Sequence, residues 1–130
     1  MKIAHVAVYT PELECLRDFY TLYFGGTAGK PYHNAARGFR SCFIRFESGA
    51  TLEIMTLEAG LAPAREGSPA IGYAHLAFTA GSRSAVDGLT DRLERDGYPV
   101  ASRPRVTGDG FYESCVLDPD GNQVEIVAGE

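Results

Sequence analysis

The chain has 130 residues, 45% of them apolar and 22% charged, and its 12 basic and 17 acidic side chains leave a net charge of −5. A chain of this length buries roughly two-thirds of the surface that its unfolded form exposes, so it folds without disulfide or metal staples, and any metal its residues point to is functional rather than structural. The acidic balance, with Lys and Arg scattered rather than clustered, excludes the electrostatic footprint of a nucleic-acid or anionic-membrane partner.

Three cysteines, Cys15, Cys42 and Cys115, have no CxxC spacing, which argues against a disulfide framework and a thiolate zinc site and fits a reducing cytoplasm. The first residues, MKIAHVAVYTPE, turn polar too early for a signal peptide. No window approaches the ~20 apolar residues of a membrane span.

In chain order, Ile3–Tyr9 reads as a strand. Thr10 followed by Pro11 opens a helix, with the threonine as N-cap and the proline in the first helical position. Leu13, Leu16, Tyr20, Tyr23 and Phe24 give this helix one apolar face, and Gly25-Gly26 ends it. A short strand is expected around Gly26–Lys30, then a loop from Lys30 to Arg37 that carries His33. A hairpin of Phe39–Glu47 with Ala50–Leu57 follows, closed by Glu47-Ser48-Gly49. The stretch 58–72, with three Gly and two Pro and no periodicity, reads as a linker.

The same order then repeats. AHLAFTA (Ala74 to Ala80) matches AHVAVYT (Ala4 to Thr10), and GFYESCVLDPDGNQVEIV (Gly110 to Val127) matches GFRSCFIRFESGATLEIM (Gly38 to Met55), with offsets of 70 to 73 residues. Ser84, with Asp87 three residues on, opens the second helix, which carries Val86, Leu89 and Leu93 and ends at Gly97. A short strand is expected around Tyr98–Ser102, a flexible stretch through Arg103, Arg105 and Gly110, and a hairpin of Phe111–Asp118 with Asn122–Ala128. Cys42 and Cys115 fall together in the repeat and read as small apolar packing residues. The fold class is α+β: two tandem βαβββ modules, residues 1–57 and 73–130, forming one domain with a concave mixed-sheet site.

The repeat lays His5 on His75 and Glu53 on Glu125, each inside an expected strand. Alternation puts His5 in a row with Ile3, Ala7 and Tyr9, and Glu53 in a row with Thr51, Met55 and Leu57; the opposite rows, Val6 and Val8 or Leu52 and Ile54, suit packing under a helix. A strand His or Glu by itself is usually a hydrogen-bonded or solvent-facing residue. Four metal-ligand types at repeat-equivalent places point instead to one divalent ion held by His5, Glu53, His75 and Glu125. Nitrogen and oxygen donors suit zinc, nickel, iron(II), cobalt or manganese.

The motifs IAHVAVYT with LxxxRDFYxxxFG (Leu13 to Gly25), YAHLAF and LDPDGNQVEIV resemble, over nearly the whole chain, the vicinal-oxygen-chelate superfamily and within it the glyoxalase I-like proteins. The resemblance implies the His, Glu, His, Glu ligand set, with nickel or zinc first among the metals, Glu125 as the base that moves a proton and Glu53 as its pseudo-symmetric alternative. It also implies a homodimer and a lyase or isomerase step on a small vicinal-oxygen substrate through a metal-stabilised enediolate. A non-catalytic antibiotic-binding protein or a thiol transferase of the same fold is the alternative. Where glyoxalase I enzymes carry an arginine and an asparagine that hold glutathione, this sequence has Tyr9 and Leu57, so a different substrate is expected.

Overall fold

The computed structural model describes residues 1–64 and 69–129. Residues 65–68 of the expected linker, and residue 130 at the end of the expected second module, lie outside them. The chain forms two compact units, Met1–Arg65 and Glu66–Glu130.

The first unit runs β1 (His5–Tyr9), α1 (Leu13–Phe24), β2 (Thr27–Ala28), β3 (Tyr32–Asn34), a 3₁₀ turn (Ala35–Arg37), β4 (Phe39–Arg45) and β5 (Thr51–Leu57). Its sheet has the order β1-β5-β4-β2, with β3 also on β4. The pair β1/β5 is parallel and the other pairs are antiparallel. The second unit repeats the plan as β6 (His75–Thr79), α2 (Arg83–Arg95), β7 (Val100–Val106), β8 (Tyr112–Leu117) and β9 (Gln123–Val127), in the order β6-β9-β8-β7 with β6/β9 parallel. These are two βαβββ modules, with β2 and β3 of the first both on β4 in the place that β7 takes on β8, and each is a mixed sheet with one helix. Among the described residues no helix is long and apolar enough to cross a membrane.

One face of each sheet lies under its helix, as the alternation predicts. In the first unit Leu52, Ile54, Cys42 and Ile44 are buried with Leu13, Leu16, Phe19 and Tyr20 of α1. In the second, Val116, Val124 and Ile126 are buried with Val86, Thr90 and Leu93 of α2. The Thr90 and Ser114 hydroxyls, both buried, meet at 2.7 Å and so satisfy each other inside that core.

Both helix starts differ from expectation. The Thr10 N–H donates to Met55 O at 2.9 Å, so Thr10 still belongs to the sheet, and α1 begins only at Leu13. The second helix is capped by Ser82, whose hydroxyl accepts from Ala85 N at 3.1 Å. Ser84 sits inside the first turn, with its hydroxyl 3.0 Å from that of Ser82. Two expected loops also carry structure. The stretch from Lys30 to Arg37 contains β3 and the 3₁₀ turn, in which the Asn34 side chain accepts from Arg37 N. Arg103 and Arg105 lie on β7 rather than in a flexible segment.

The β8–β9 turn shows why DPDGN stands where it does. Asp118 is buried, and its carboxylate accepts from the backbone N–H groups of Asp120 and Asn122 and from the Asn122 side-chain amide, each at 2.9 Å. Gly121 takes the left-handed backbone that closes the turn, at φ 82°. This fixes the β8/β9 register, which sets Glu125 opposite Cys115.

Candidate metal centre

In both units the histidine strand lies at the sheet edge, parallel to the glutamate strand, and the registers are equivalent. Ala7 stands opposite Glu53 with His5 two residues earlier; Ala77 stands opposite Glu125 with His75 two residues earlier. Directly opposed residues point to the same side of a sheet, and here it is the side away from the helix. The repeat therefore produces the same local pair twice. His5 Nε2 is 3.8 Å from Glu53 Oε2, and His75 Nε2 is 3.2 Å from Glu125 Oε2.

The carboxylates are the more enclosed partners. The Glu53 and Glu125 side chains are 17% and 21% exposed, against 49% and 39% for His5 and His75. Each pair offers one imidazole nitrogen and one carboxylate oxygen. Two ligands at ~2.1 Å from one ion lie about 3.0 Å apart in cis octahedral geometry and about 3.4 Å apart in tetrahedral geometry. The spacing at His75 and Glu125 falls between those values, and the spacing at His5 and Glu53 is within about half an ångström of them, so each pair by itself has a spacing close to that of two ligands on one ion. Within each unit, among the described residues, no third His, Cys, Asp or Glu joins the pair to make a group that could hold a metal ion. His33 also faces a glutamate, Glu58, at 3.3 Å, but both side chains are more than half exposed and the second unit has no counterpart.

Around the pairs the two open faces differ in chemistry. In the first unit the row through Glu53 is Ala7, Glu53, Phe43, and the next is Tyr9, Met55, Ser41, Tyr32. His5 meets the edge of Phe43 at 5.6 Å and 84°, while Leu57 stands opposite Phe39, which packs on Tyr32 at 6.2 Å. In the second unit the row is Ala77, Glu125, Cys115, Ser102. Glu113 and Arg105 stand opposite each other one step along.

Cys115 departs from the sequence reading. Taking the two Ser-Cys pairs as equivalent gives both cysteines the same packing role, but Cys42 opposes Ile54 on the helix side and Cys115 opposes Glu125 on the open side. Structural equivalence pairs Phe43 with Cys115 and Ser41 with Glu113. Burial and then the Glu125 charge push the Cys115 thiol above its ordinary range. The same two causes in the same order raise the Glu113 carboxyl. Sequence reasoning passed over Glu113 because matching the two Ser-Cys pairs sets Ser41 on Ser114 and leaves Glu113 without a place in the open-face rows.

The chain belongs to the glyoxalase/bleomycin resistance protein/dioxygenase superfamily, whose family model matches residues 2–126. It is 32% identical over 127 residues to the uncharacterized protein YqjT of Bacillus subtilis (strain 168), covering 95% of this chain and 96% of that protein. Among solved structures it resembles a lactoylglutathione lyase from Agrobacterium tumefaciens, with 26% identity, a TM-score of 0.68, and coverage of 98% of this chain and 92% of that one. It shares the fold of a glyoxalase I variant from Zea mays at 19% identity and a TM-score of 0.81, and there its 98% coverage of this chain corresponds to 44% of the maize chain.

Proposed function

We propose that the protein is a metal-dependent lyase or isomerase of glyoxalase I type that acts on a small vicinal-oxygen substrate, with His5, Glu53, His75 and Glu125 as the ligands of one divalent ion, nickel or zinc first. The observation that carries this reading is the repetition of one His–Glu pair at the same register in two modules. A pair in one module alone would be an ordinary polar contact on a sheet face. On this reading the two pairs complete one another, within the chain or across a cytoplasmic homodimer.

A bound divalent ion supplies Lewis acidity, polarising a carbonyl oxygen and acidifying the neighbouring C–H. The chain's own residues do the rest. Glu125 takes the proton on Oε1, the oxygen not turned to His75, and returns it to the adjacent carbon, so that the reaction is redox-neutral. Glu53 is the pseudo-symmetric alternative. Both carboxylates keep part of their surface in solvent, so the proton held between the two transfers can exchange with water.

Glutathione does not fit this face. The guanidinium and amide expected to hold it are replaced by the phenol of Tyr9 and the apolar Leu57, and a phenol does not reproduce the bidentate, charge-assisted bonds of an arginine. The test uses nickel- and zinc-loaded protein in deuterium oxide with two substrates, a small α-hydroxyaldehyde and the glutathione–methylglyoxal hemithioacetal. The expected result is metal-dependent C–H exchange in the first, and turnover of the second with a kcat/KM below about 10⁴ M⁻¹s⁻¹. A value above about 10⁶ M⁻¹s⁻¹ on the hemithioacetal would restore glutathione as substrate. Failure to take up either metal would replace an enzyme by a small-molecule binding protein of the same fold.

A further inference from the structure

Two arginines two residues apart on β7 have different surroundings. Arg103 lies on the helix side, where its guanidinium pairs with Glu94 and with Asp91 at 3.6 Å, both on α2. Arg105 opposes Glu113 on the open side. Strict alternation would put residues 103 and 105 on one face. The difference comes from a register irregularity between Ser102 and Arg105, where three steps along β7 match two steps along β8, from Cys115 to Glu113. This is a β-bulge, a device that re-aims a side chain. The bulged stretch includes Pro104, which has no N–H to give to the ladder. The bulge therefore turns Arg105, and not Arg103, onto the face that carries His75 and Glu125.

On that face the guanidinium is positioned, and its charge acts on the opposed Glu113 without closing an ion pair with it. Arg105 Nη1 donates to Ser102 Oγ at 2.7 Å, and among the described residues no carboxylate closes an ion pair with it, the opposed Glu113 included. Ser102 stands two strands from Glu125 in one row, with only Cys115 between them. At ~4.8 Å per strand that separation is about 10 Å, which a small extended molecule spans. The chain's net charge is −5, so nothing global draws an anion here, and a preference for one has to be local.

We propose that Arg105 is a specificity-determining residue that binds a carboxylate at the far end of the substrate, with the substrate's vicinal oxygens at His75 and Glu125. The substrate class is then a short oxygenated acyl compound bearing a terminal carboxylate. This rests on the reading of His75 and Glu125 as metal ligands, and the experiment separates the two claims. Nickel-loaded protein is titrated calorimetrically with acetohydroxamate, a neutral vicinal-oxygen chelator, and with the monohydroxamate of glutaric acid, the same chelator with a carboxylate on a short stem. The expected result is that both bind, with the carboxylate compound about tenfold tighter. Arg105→Met abolishes that preference while leaving acetohydroxamate affinity unchanged, and Arg105→Lys keeps part of it. No preference, or a preference that survives Arg105→Met, overturns the assignment. If acetohydroxamate does not bind, the metal-centre reading fails, and Arg105 is then judged on metal-free protein. Glutarate should shift the Arg105 Nε–Hε resonance, assigned by its loss in Arg105→Met, and an unmoved resonance overturns the proposal.

Discussion

Glu125→Ala is expected to weaken binding of nickel or zinc by at least about a hundredfold. Substituting a residue that only orients a ligand already costs 10- to 100-fold in metal affinity, and Glu125 is proposed as a ligand itself, its Oε2 3.2 Å from His75 Nε2. Glu53→Ala should do the same, because Glu53 holds the equivalent register in the first unit. The metal-free variants should unfold within about 1 kcal/mol of the parent, since each carboxylate has only an imidazole partner on a partly open face. Competition against a chromophoric chelator measures the affinity. Retention within about threefold in Glu125→Ala would remove it from the ligand set.

Phe19→Ala is expected to destabilise the first unit by about 3–5 kcal/mol, the usual cost of emptying a buried aromatic site. Phe19 is 2% exposed and meets Tyr20 edge-on at 5.1 Å, Tyr23 at 5.4 Å and Phe24 at 5.6 Å. The helix cannot fill that space from within, because its turns are fixed to the sheet through Leu13, Leu16 and Tyr20, all buried. Leu22 lies on the same helix but is 58% exposed, and Leu22→Ala should cost under about 0.5 kcal/mol. Urea unfolding of both variants checks the contrast. Equal losses would mean that α1 does not pack as described.

The fold was legible because the repeat and the period of two agree. The rows Val6/Val8 and Leu52/Ile54 specify which side a helix covers, and the opposite rows then have to carry His5 and Glu53. Equivalent registers in both units follow from the two AH-x-A and Glu-Ile stretches. What the sequence hid depends on single-residue shifts. Matching Ser41-Cys42 to Ser114-Cys115 is the better letter match, yet β-pairing sets Cys42 opposite Ile54 and Cys115 opposite Glu125, and a slip of one residue exchanges the faces of a strand. The bulge between Ser102 and Arg105 is a second such shift, and it made β7 read as a short strand followed by a loop. Thr10 and Ser84 are good N-caps by residue type, but Thr10 is bonded to Met55 and Ser82 lies two residues ahead of Ser84. Local preference ranks these positions correctly only after the sheet bonds are known.

The central claim is that two equivalent His–Glu pairs are halves of a single metal centre. The most direct measurement is the stoichiometry of nickel uptake by the parent chain and by His5→Ala and His75→Ala, read by elemental analysis after equilibrium dialysis. The account predicts one ion per chain in the parent and loss of that ion in both variants, although the substitutions lie in different units. Two ions per chain, each lost with only one of the substitutions, or one ion that survives either substitution, would contradict it.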